Sequence, residues 1–252
     1  MRLTLRIAAI VAGLLVCLPL HYLWRLLRLR SPWPRRFLGW VGRSGGMRVR
    51  LLGIPLKSHV LFVANHMSWL DIMLIAGASG AAFVSKDDVA RWPVIGWLAS
   101  LNNTVFIARA ERSAVRGQAD ALRAALASGQ PVALFPEGTT DGGVDVLPFR
   151  ASLLASLFPP LPGVKVQPVA LDYGPAGPEI AWAGEEPAAA NARRVLSRRG
   201  TALVTIRFLE PLDPAAVGDR KALAAMSRAA IVEALGTPAG LRARGGSPIG
   251  AR

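Results

Sequence analysis

A chain of 252 residues with 52% hydrophobic and 18% charged residues is too apolar for a disordered protein and long enough to bury a sizeable core. Its formal net charge of +14 favours an anionic partner such as nucleic acid, an anionic membrane surface or a phosphorylated substrate, although an Ala- and Arg-rich composition can also reflect genome bias. The single cysteine, Cys17, excludes an intrachain disulfide and a Cys/His metal cluster.

The first element is the apolar stretch 7–24, in which His21 is the only strongly polar residue. A helix of this length spans about 27 Å, close to the hydrocarbon thickness of a bilayer. Basic residues flank it on both sides, and the larger cluster follows it. They are Arg2 and Arg6 before the stretch, and Arg25, Arg28, Arg30, Arg35 and Arg36 after it.

Three interpretations of this segment remain open. A signal peptide shares the basic start and apolar core, but no small-x-small cleavage site follows. A spanning helix would leave the rest of the chain on the cytoplasmic face of the inner membrane, because the larger basic cluster comes after it. An interfacial hairpin is also consistent, because we expect Pro19 to interrupt the helix and residues 25–40 alternate Arg with Leu, Trp and Phe. This cluster favours membrane lipid over nucleic acid as the partner, and no zinc-finger or RNP-like spacing points to nucleic acid.

Beyond about residue 43, short β-rich runs alternate with stretches of helical period. This alternation predicts an α/β fold with a mixed, mostly parallel central sheet flanked by helices. The predicted strands are 47–53, 59–65, 81–85, 104–108, 131–136, 164–171 and 202–208, and the predicted helices are 68–78, 93–101, 114–127, 149–157 and 214–235.

The pattern divides the chain into three parts. Residues 1–42 form the membrane-associated helical segment, and residues 43–236 form the α/β domain. Residues 237–252 are rich in Gly, Pro and Arg and are predicted to be disordered.

The run VANHMSWLD, residues 63–71, carries the first chemical signal. Ser68 and Asp71 have the spacing of a capping box, so a helix is predicted to start at Ser68, with His66 a bystander in the preceding loop. The alternative is a His66–Asp71 pair, in which the carboxylate fixes the imidazole tautomer and makes it a better base. Such a base could activate a hydroxyl for attack on a carbonyl, which is worth about 10²–10⁴-fold.

Two further runs follow predicted strands. In LFPEGTTDGG, residues 134–143, Glu137 presents a carboxylate and the glycines allow backbone amides to approach an anion, although such a run is also an ordinary turn. In VFIARAER, residues 105–112, Arg109 is either a phosphate ligand or a solvated loop charge.

Taken in order, N-H-x-S-x-x-D, F-I-x-R, F-P-E-G-T and a strand carrying Pro168-Val169 resemble the glycerolipid acyltransferase family, whose best-known members are 1-acylglycerol-3-phosphate acyltransferases. The resemblance covers roughly residues 45–210. It implies that His66 is the general base on the acceptor hydroxyl and that Asp71 orients it, with Asn65 and Ser68 in supporting roles.

The same resemblance implies a binding site for the acceptor headgroup. Its residues would be Arg109, Glu137 and Gly138, with Thr139 close by and Lys86 flanking the pocket. The acyl donor would be a thioester, either acyl-CoA or acyl carrier protein, and neither a metal nor a cofactor is implied. The expected reaction acylates a lysolipid hydroxyl, converting 1-acyl-sn-glycerol-3-phosphate into phosphatidic acid.

One departure from the family pattern bears on the acceptor. Many members that act on lysophosphatidate read E-G-T-R, whereas this chain has Thr140 followed by Asp141, which would repel a phosphate. The run from Phe135 to Leu153 looks more like the subgroup that acylates lyso-ornithine lipid, whose amine suits an acidic residue. Two other classes also remain: a non-catalytic basic membrane-binding protein, and a hydrolase, which the lack of a G-x-S-x-G elbow disfavours.

Overall fold

Seven strands form one twisted sheet in the part of the chain that the structure, a computed structural model, describes: residues 1–86, 90, 93–107, 112–140, 142 and 145–236. The strands are β1 (Met47–Leu52), β2 (Val60–Ala64), β3 (Ala82–Lys86), β4 (Val105–Ile107), β5 (Val132–Leu134), β6 (Lys165–Asp172) and β7 (Ala202–Phe208).

The strand order is β1-β7-β6-β2-β5-β3-β4. Neighbouring strands run parallel except β6 and β7, which pair antiparallel. The predicted mixed, mostly parallel sheet is therefore confirmed, and every observed strand overlaps a predicted one.

Helices cover both faces of the sheet. They are α1 (Arg2–Leu26), α2 (Trp33–Ser44), α3 (Leu70–Ser79), α4 (Pro93–Leu101), α5 (Arg112–Ala127), α6 (Gly177–Ile180), α7 (Ala188–Ser197), α8 (Pro214–Val217) and α9 (Arg220–Gly236), with 3₁₀ helices at Ala151–Leu157 and Gly174–Ala176.

Several helix predictions need correction. The predicted helix 214–235 is two helices, because Gly218 adopts a φ of +87° and the Asp219 side chain accepts hydrogen bonds from the first amides of α9. The predicted helix 149–157 is a shorter 3₁₀ helix. Helix α7 was not predicted, because three buried side chains give little periodic signal.

Strand β2 is the centre of the core, and all five of its residues are buried. Its alternate residues enter different clusters, as the period of a strand requires. Phe62 packs with the side chains of α3 on one face, and Leu61 and Val63 pack with those of α5, the longer 3₁₀ helix and α9 on the other. A strand buried on both faces is the expected centre of a parallel sheet.

Helix α1 is long and apolar enough to cross a membrane, with 25 residues and a mean hydropathy of 2.3 over an 18-residue window. The expectation that Pro19 interrupts it is wrong, since the helix runs unbroken from Arg2 to Leu26 with Pro19 inside. A proline removes one backbone donor and can be accommodated when neighbouring turns are packed.

Both ends of α1 are fixed to the rest of the molecule. Near its start, Arg6 donates hydrogen bonds to the carbonyls of Val195, Leu196 and Gly200, with Nη2 lying 2.9 Å from the Gly200 oxygen. Near its end, His21 Nδ1 lies 2.8 Å from the Ser31 hydroxyl. Helix α1 therefore lies along the α/β domain instead of projecting from it.

Helix α2 contacts α3 through two glycines, Gly39 and Gly77. A Cβ atom added at Gly77 would lie 2.6 Å from the Cα of Gly39, whereas one added at Gly39 would lie 3.5 Å from the Cα of Gly77. The two helices therefore pack backbone to backbone, and only one of the glycines is sterically required.

We expect Gly77→Ala to destabilise the protein by roughly 1–3 kcal/mol, because the new methyl group overlaps backbone atoms that cannot move independently. The matched variant Gly39→Ala should be neutral or up to about 1 kcal/mol more stable, because alanine is the better helix former. Denaturant unfolding of both variants in detergent checks this, and equal effects of the two substitutions would contradict the contact.

Candidate active site

The carboxyl ends of three neighbouring strands build the site. In the order β6-β2-β5 the strands are parallel, so the loops that follow them leave from the same edge of the sheet. His66 follows β2, Glu137 follows β5 and Tyr173 follows β6. Residues distant in sequence therefore meet at this edge.

His66 and Asp71 form a hydrogen-bonded pair, with His66 Nδ1 lying 2.9 Å from Asp71 Oδ2. The same oxygen accepts hydrogen bonds from the backbone N–H groups of Met67 at 2.7 Å and Ser68 at 2.8 Å. The Asp71 side chain is completely buried. A buried carboxylate with this many donors is held in a fixed orientation.

The predicted helix start at Ser68 is two residues early, because α3 begins at Leu70. Residues 68–71 form the preceding turn, closed by a 3.0 Å bond from Asp71 N to the Ser68 carbonyl. The Ser68 N–H nevertheless donates to the Asp71 carboxylate, which is one of the two hydrogen bonds of a capping box. Asp71 therefore supports the turn and contacts the histidine with one carboxylate.

This arrangement determines the chemistry available to the imidazole. Since the carboxylate accepts at Nδ1, that nitrogen carries the proton and Nε2 keeps a lone pair. The ring of His66 stacks on Phe135, with centroids 3.9 Å apart and planes 12° from parallel. The side chain is 17% exposed, which leaves the imidazole accessible from one side.

Asn65 extends the pairing of β2 and β6 with its side chain. Its Nδ2 donates to the carbonyl of Leu171 at 3.0 Å, and its Oδ1 accepts from the amide of Leu171 at 2.8 Å. A side-chain amide that mimics a strand in this way fixes where β2 ends. The position of the following His66 is fixed with it.

Glu137 braces the loop from the other side. Its Oε1 accepts from the amide of His66 at 2.8 Å, and its Oε2 accepts from the amide of Leu147 at 3.1 Å. The residue is 3% exposed. Burial raises the pKa of Glu137 to about 7, although both backbone hydrogen bonds and His66 oppose that shift.

The turn after Glu137 contains two other predicted site residues, Gly138 and Thr139, in different environments. Gly138 has a φ of +74°, a conformation that glycine adopts without strain, and the Arg150 guanidinium would lie 3.3 Å from any Cβ there. Thr139 is exposed, and its hydroxyl donates to the Thr140 carbonyl at 3.3 Å. Arg150 is a basic group beside this turn that the sequence analysis did not identify.

A cleft of about 450 Å³ opens in front of the His–Asp pair. Its wall carries more acidic than basic side chains. The residues lining it are Asn65, His66, Met67, Glu137, Asp145, Val146, Leu171, Asp172, Tyr173, Gly174, Gly177, Pro178, Arg228, Val232, Leu235 and Gly236.

Of the predicted site residues, Asn65, His66 and Glu137 line the cleft, and Asp71 and Ser68 lie buried behind it. Lys86 is the last residue of β3, and Arg109 lies outside the residues that the structure describes.

Phe135 and Tyr173 contact the His66–Asp71 pair and were not predicted either. Phe135 stacks on the imidazole, and the Tyr173 hydroxyl lies 2.5 Å from Asp71 Oδ1. A tyrosine directly after a buried strand is a usable sequence signal, because its hydroxyl then needs a buried partner.

Comparison with known proteins shows the family of the chain. Residues 48–172 match the family model described as Acyltransferase. A lyso-ornithine lipid O-acyltransferase of Brucella abortus is 36% identical over 245 residues, covering 88% of this chain and 90% of the relative. One of Rhodobacter capsulatus is 37% identical, covering 93% and 90%.

Two further comparisons involve relatives named for a phosphate acceptor. A 1-acyl-sn-glycerol-3-phosphate acyltransferase of Neisseria gonorrhoeae is 38% identical, but over only 48% of each chain. The crystal structure of the 1-acyl-sn-glycerophosphate acyltransferase of Thermotoga maritima has the same fold, with a TM-score of 0.62 at 22% identity, covering 93% of this chain and 96% of that one.

The α/β sheet, with the His–Asp pair at its strand ends, has the fold of an acyltransferase of known structure. The chain belongs to the glycerolipid acyltransferase family and is an acyltransferase. The interpretation as a non-catalytic membrane-binding protein is therefore wrong. The apolar α1 and relatives that act on membrane lipids indicate membrane association.

The raised pKa of Glu137 predicts a pH-dependent stability. Its ordinary value is 4.5 and its value in the folded protein is about 7, so between these pH values the folded state binds more protons than the unfolded state. The protonated Glu137 stabilises the folded state fully below about pH 4.5. This contribution, on the order of 3 kcal/mol, is lost as the pH rises through about 7.

We therefore expect the wild type to lose stability relative to Glu137→Gln as the pH rises from about 4.5 to 7. Above that range the difference in unfolding free energy between the two proteins should be constant. Denaturant unfolding of both proteins across pH 4–8 checks this. Parallel curves for the two proteins would contradict it.

Proposed function

We propose that the protein transfers a fatty acyl group from an acyl thioester, acyl-CoA or acyl carrier protein, to the hydroxyl of a lysolipid, with His66 as general base and Asp71 as its orienting partner. The observation that carries the proposal is the 2.9 Å contact from His66 Nδ1 to the fully buried Asp71 carboxylate at the wall of a cleft. No metal or cofactor takes part in the proposed reaction.

The steps follow from the protonation state of the imidazole. His66 Nε2 takes the proton of the acceptor hydroxyl as its oxygen attacks the thioester carbonyl carbon. Asp71 stabilises the imidazolium that forms. The tetrahedral intermediate then expels the thiolate as the carbon–sulfur bond breaks, and the imidazolium returns the proton to sulfur. The products are an ester and a free thiol, and the enzyme is restored.

For the acceptor we propose lyso-ornithine lipid. Two acidic residues, Asp145 and Asp172, face the cleft together with Glu137, whose pKa is raised to about 7, and with one basic residue, Arg228. Arg228 is already directed at the backbone carbonyls of Val146 and Leu147. An acidic wall favours the ammonium group of ornithine over a phosphate. The relatives of Brucella abortus and Rhodobacter capsulatus, which are 36% and 37% identical and match 88% and 93% of this chain, carry the lyso-ornithine name, which supports the same choice.

A second candidate acceptor is 1-acyl-sn-glycerol-3-phosphate, with phosphatidic acid as product. It is favoured by the relative from Neisseria gonorrhoeae, which is named for that reaction and is 38% identical over 48% of this chain. Arg150, beside Gly138, is the described basic group best placed to meet a phosphate at that turn.

An apolar cavity of about 270 Å³ between α1, α2, α3 and α4 suits the fatty chain of a substrate. Phe83 lines it, and the ring of Phe83 lies 5.7 Å from Phe135, which stacks on His66. Two aromatic rings therefore separate this cavity from the imidazole. Burying a methylene group there contributes about 0.8 kcal/mol.

The test offers the purified protein a panel of lysolipids with both donor types and identifies the products by mass spectrometry. We expect lyso-ornithine lipid to be acylated and lysophosphatidate to react at least about 10-fold more slowly. In His66→Ala the rate should fall by about 10²–10⁴-fold or more, because the general base is lost.

The matched control is His59→Asn, at the opposite end of β2. His59 has a φ of 51°, which asparagine tolerates, and the variant should keep its activity. A His66→Ala variant with wild-type rates would contradict the proposed base. Preference for lysophosphatidate would overturn the proposed headgroup and leave the reaction type in place. Release of free fatty acid without an acceptor would indicate a hydrolase.

We further propose that α1 lies in the plane of the membrane surface on the cytoplasmic face of the inner membrane. Arg6, near the first turn, is bonded to carbonyls of the α/β domain, which holds the start of α1 against that domain instead of on the far side of a bilayer. The outward side chains of α1 are apolar, including Val11 at 47% exposed and Leu15 at 67%, and suit the acyl boundary.

Single-cysteine variants in a Cys17→Ser background test this arrangement. Cysteines at Arg2, Arg25 and Glu210 report the two ends of α1 and the α/β domain. In sealed inner-membrane vesicles, a membrane-impermeant maleimide should label all three from the same side. The helix is about 37 Å long, so labelling of Arg2→Cys and Arg25→Cys from opposite sides would show a spanning helix.

A further inference from the structure

The second oxygen of the Asp71 carboxylate has a partner from a distant part of the chain. The hydroxyl of Tyr173 donates to Asp71 Oδ1 at 2.5 Å, across 102 residues of sequence, whereas His66 contacts Oδ2. Tyr173 is 2% exposed and belongs to the core cluster on the α3 face of the sheet. Its ring is therefore held by packing and its hydroxyl by Asp71.

Asp71 needs such a donor because water does not reach it. A carboxylate that is removed from water loses its hydration, and it stays ionised only when hydrogen-bond donors replace that hydration. Three donors serve Oδ2, and Tyr173 serves Oδ1. Burial and the neighbouring Asp71 raise the pKa of Tyr173 well above its usual value, so the phenol keeps its proton and remains a donor.

The segment that begins at the end of β6 supports the whole His66 loop. Leu171 pairs with the Asn65 side chain before the loop, and the amide of Trp182 donates to the Met67 carbonyl at 2.8 Å. Tyr173 lies between these two contacts in sequence. The loop that carries the histidine is thus held against residues 171–182 at three points, and one of them is the Asp71 carboxylate.

We propose that Tyr173 is a positioning residue of the reaction: its hydroxyl holds Asp71 Oδ1 and thereby keeps Oδ2 directed at the imidazole of His66. Tyr173 acts through Asp71 and not through the substrate. This inference rests on the proposed function, in which His66 is the general base.

Tyr173→Phe removes the hydroxyl and keeps the packed ring. Losing a hydrogen bond to a charged group should lower kcat by about 10- to 100-fold, while KM for donor and acceptor changes by less than about 3-fold. The control is Ser156→Ala, which removes another buried hydroxyl, 7% exposed, in the 3₁₀ helix 151–157, and should keep the wild-type kcat.

A double-mutant cycle distinguishes positioning from general destabilisation. In an Asp71→Asn background, Tyr173→Phe should lower the remaining rate by less than about 2-fold, because its partner is already changed. The same fractional loss in both backgrounds, or a Tyr173→Phe kcat within about 3-fold of the wild type, would overturn the proposal.

Fluorinated tyrosines at position 173 give a second readout that keeps the shape of the ring. We expect kcat to change with the acidity of the phenol, and a kcat independent of that acidity would also overturn the proposal. Failure of the proposed function is visible separately: His66→Ala would keep wild-type activity, whatever the Tyr173 variants do.

Discussion

The burial of the Asp71 carboxylate is the constraint on which the site depends. A charge without access to water is unstable unless its lone pairs are occupied, and here the donors come from the adjacent loop, from the histidine and from the end of β6. The hydrogen bonds that stabilise the Asp71 carboxylate therefore also orient the imidazole of His66. The structure cannot lose one without weakening the other.

The parallel sheet makes that arrangement possible. Strands β6, β2 and β5 are adjacent although they are far apart in sequence, so one edge gathers Asn65, Glu137 and Tyr173 around a single loop. Glu137 illustrates the result. Its carboxylate joins the amides of His66 and Leu147, which makes it a brace between two loops as well as a wall of the cleft.

The strands and the His66–Asp71 contact could be predicted from sequence because each has a local signal: a short apolar run, or a five-residue spacing. The break at Gly218 and the continuity of α1 through Pro19 could not, since both depend on packing that a local pattern does not contain. Tyr173 and Phe135 were missed for a related reason. Their partners lie on other strands, and only the strand order brings them together.

The close contact of Gly39 with Gly77 has a consequence for where the reaction takes place. It brings the backbones of α2 and α3 into direct contact, and α3 directly follows the loop that carries His66. With α1 resting on the bilayer as proposed, the packing of α1 on α2 and of α2 on α3 sets the height of the imidazole above the lipid surface. Such an enzyme would select acceptors by the depth of their hydroxyl in the bilayer as well as by their headgroup.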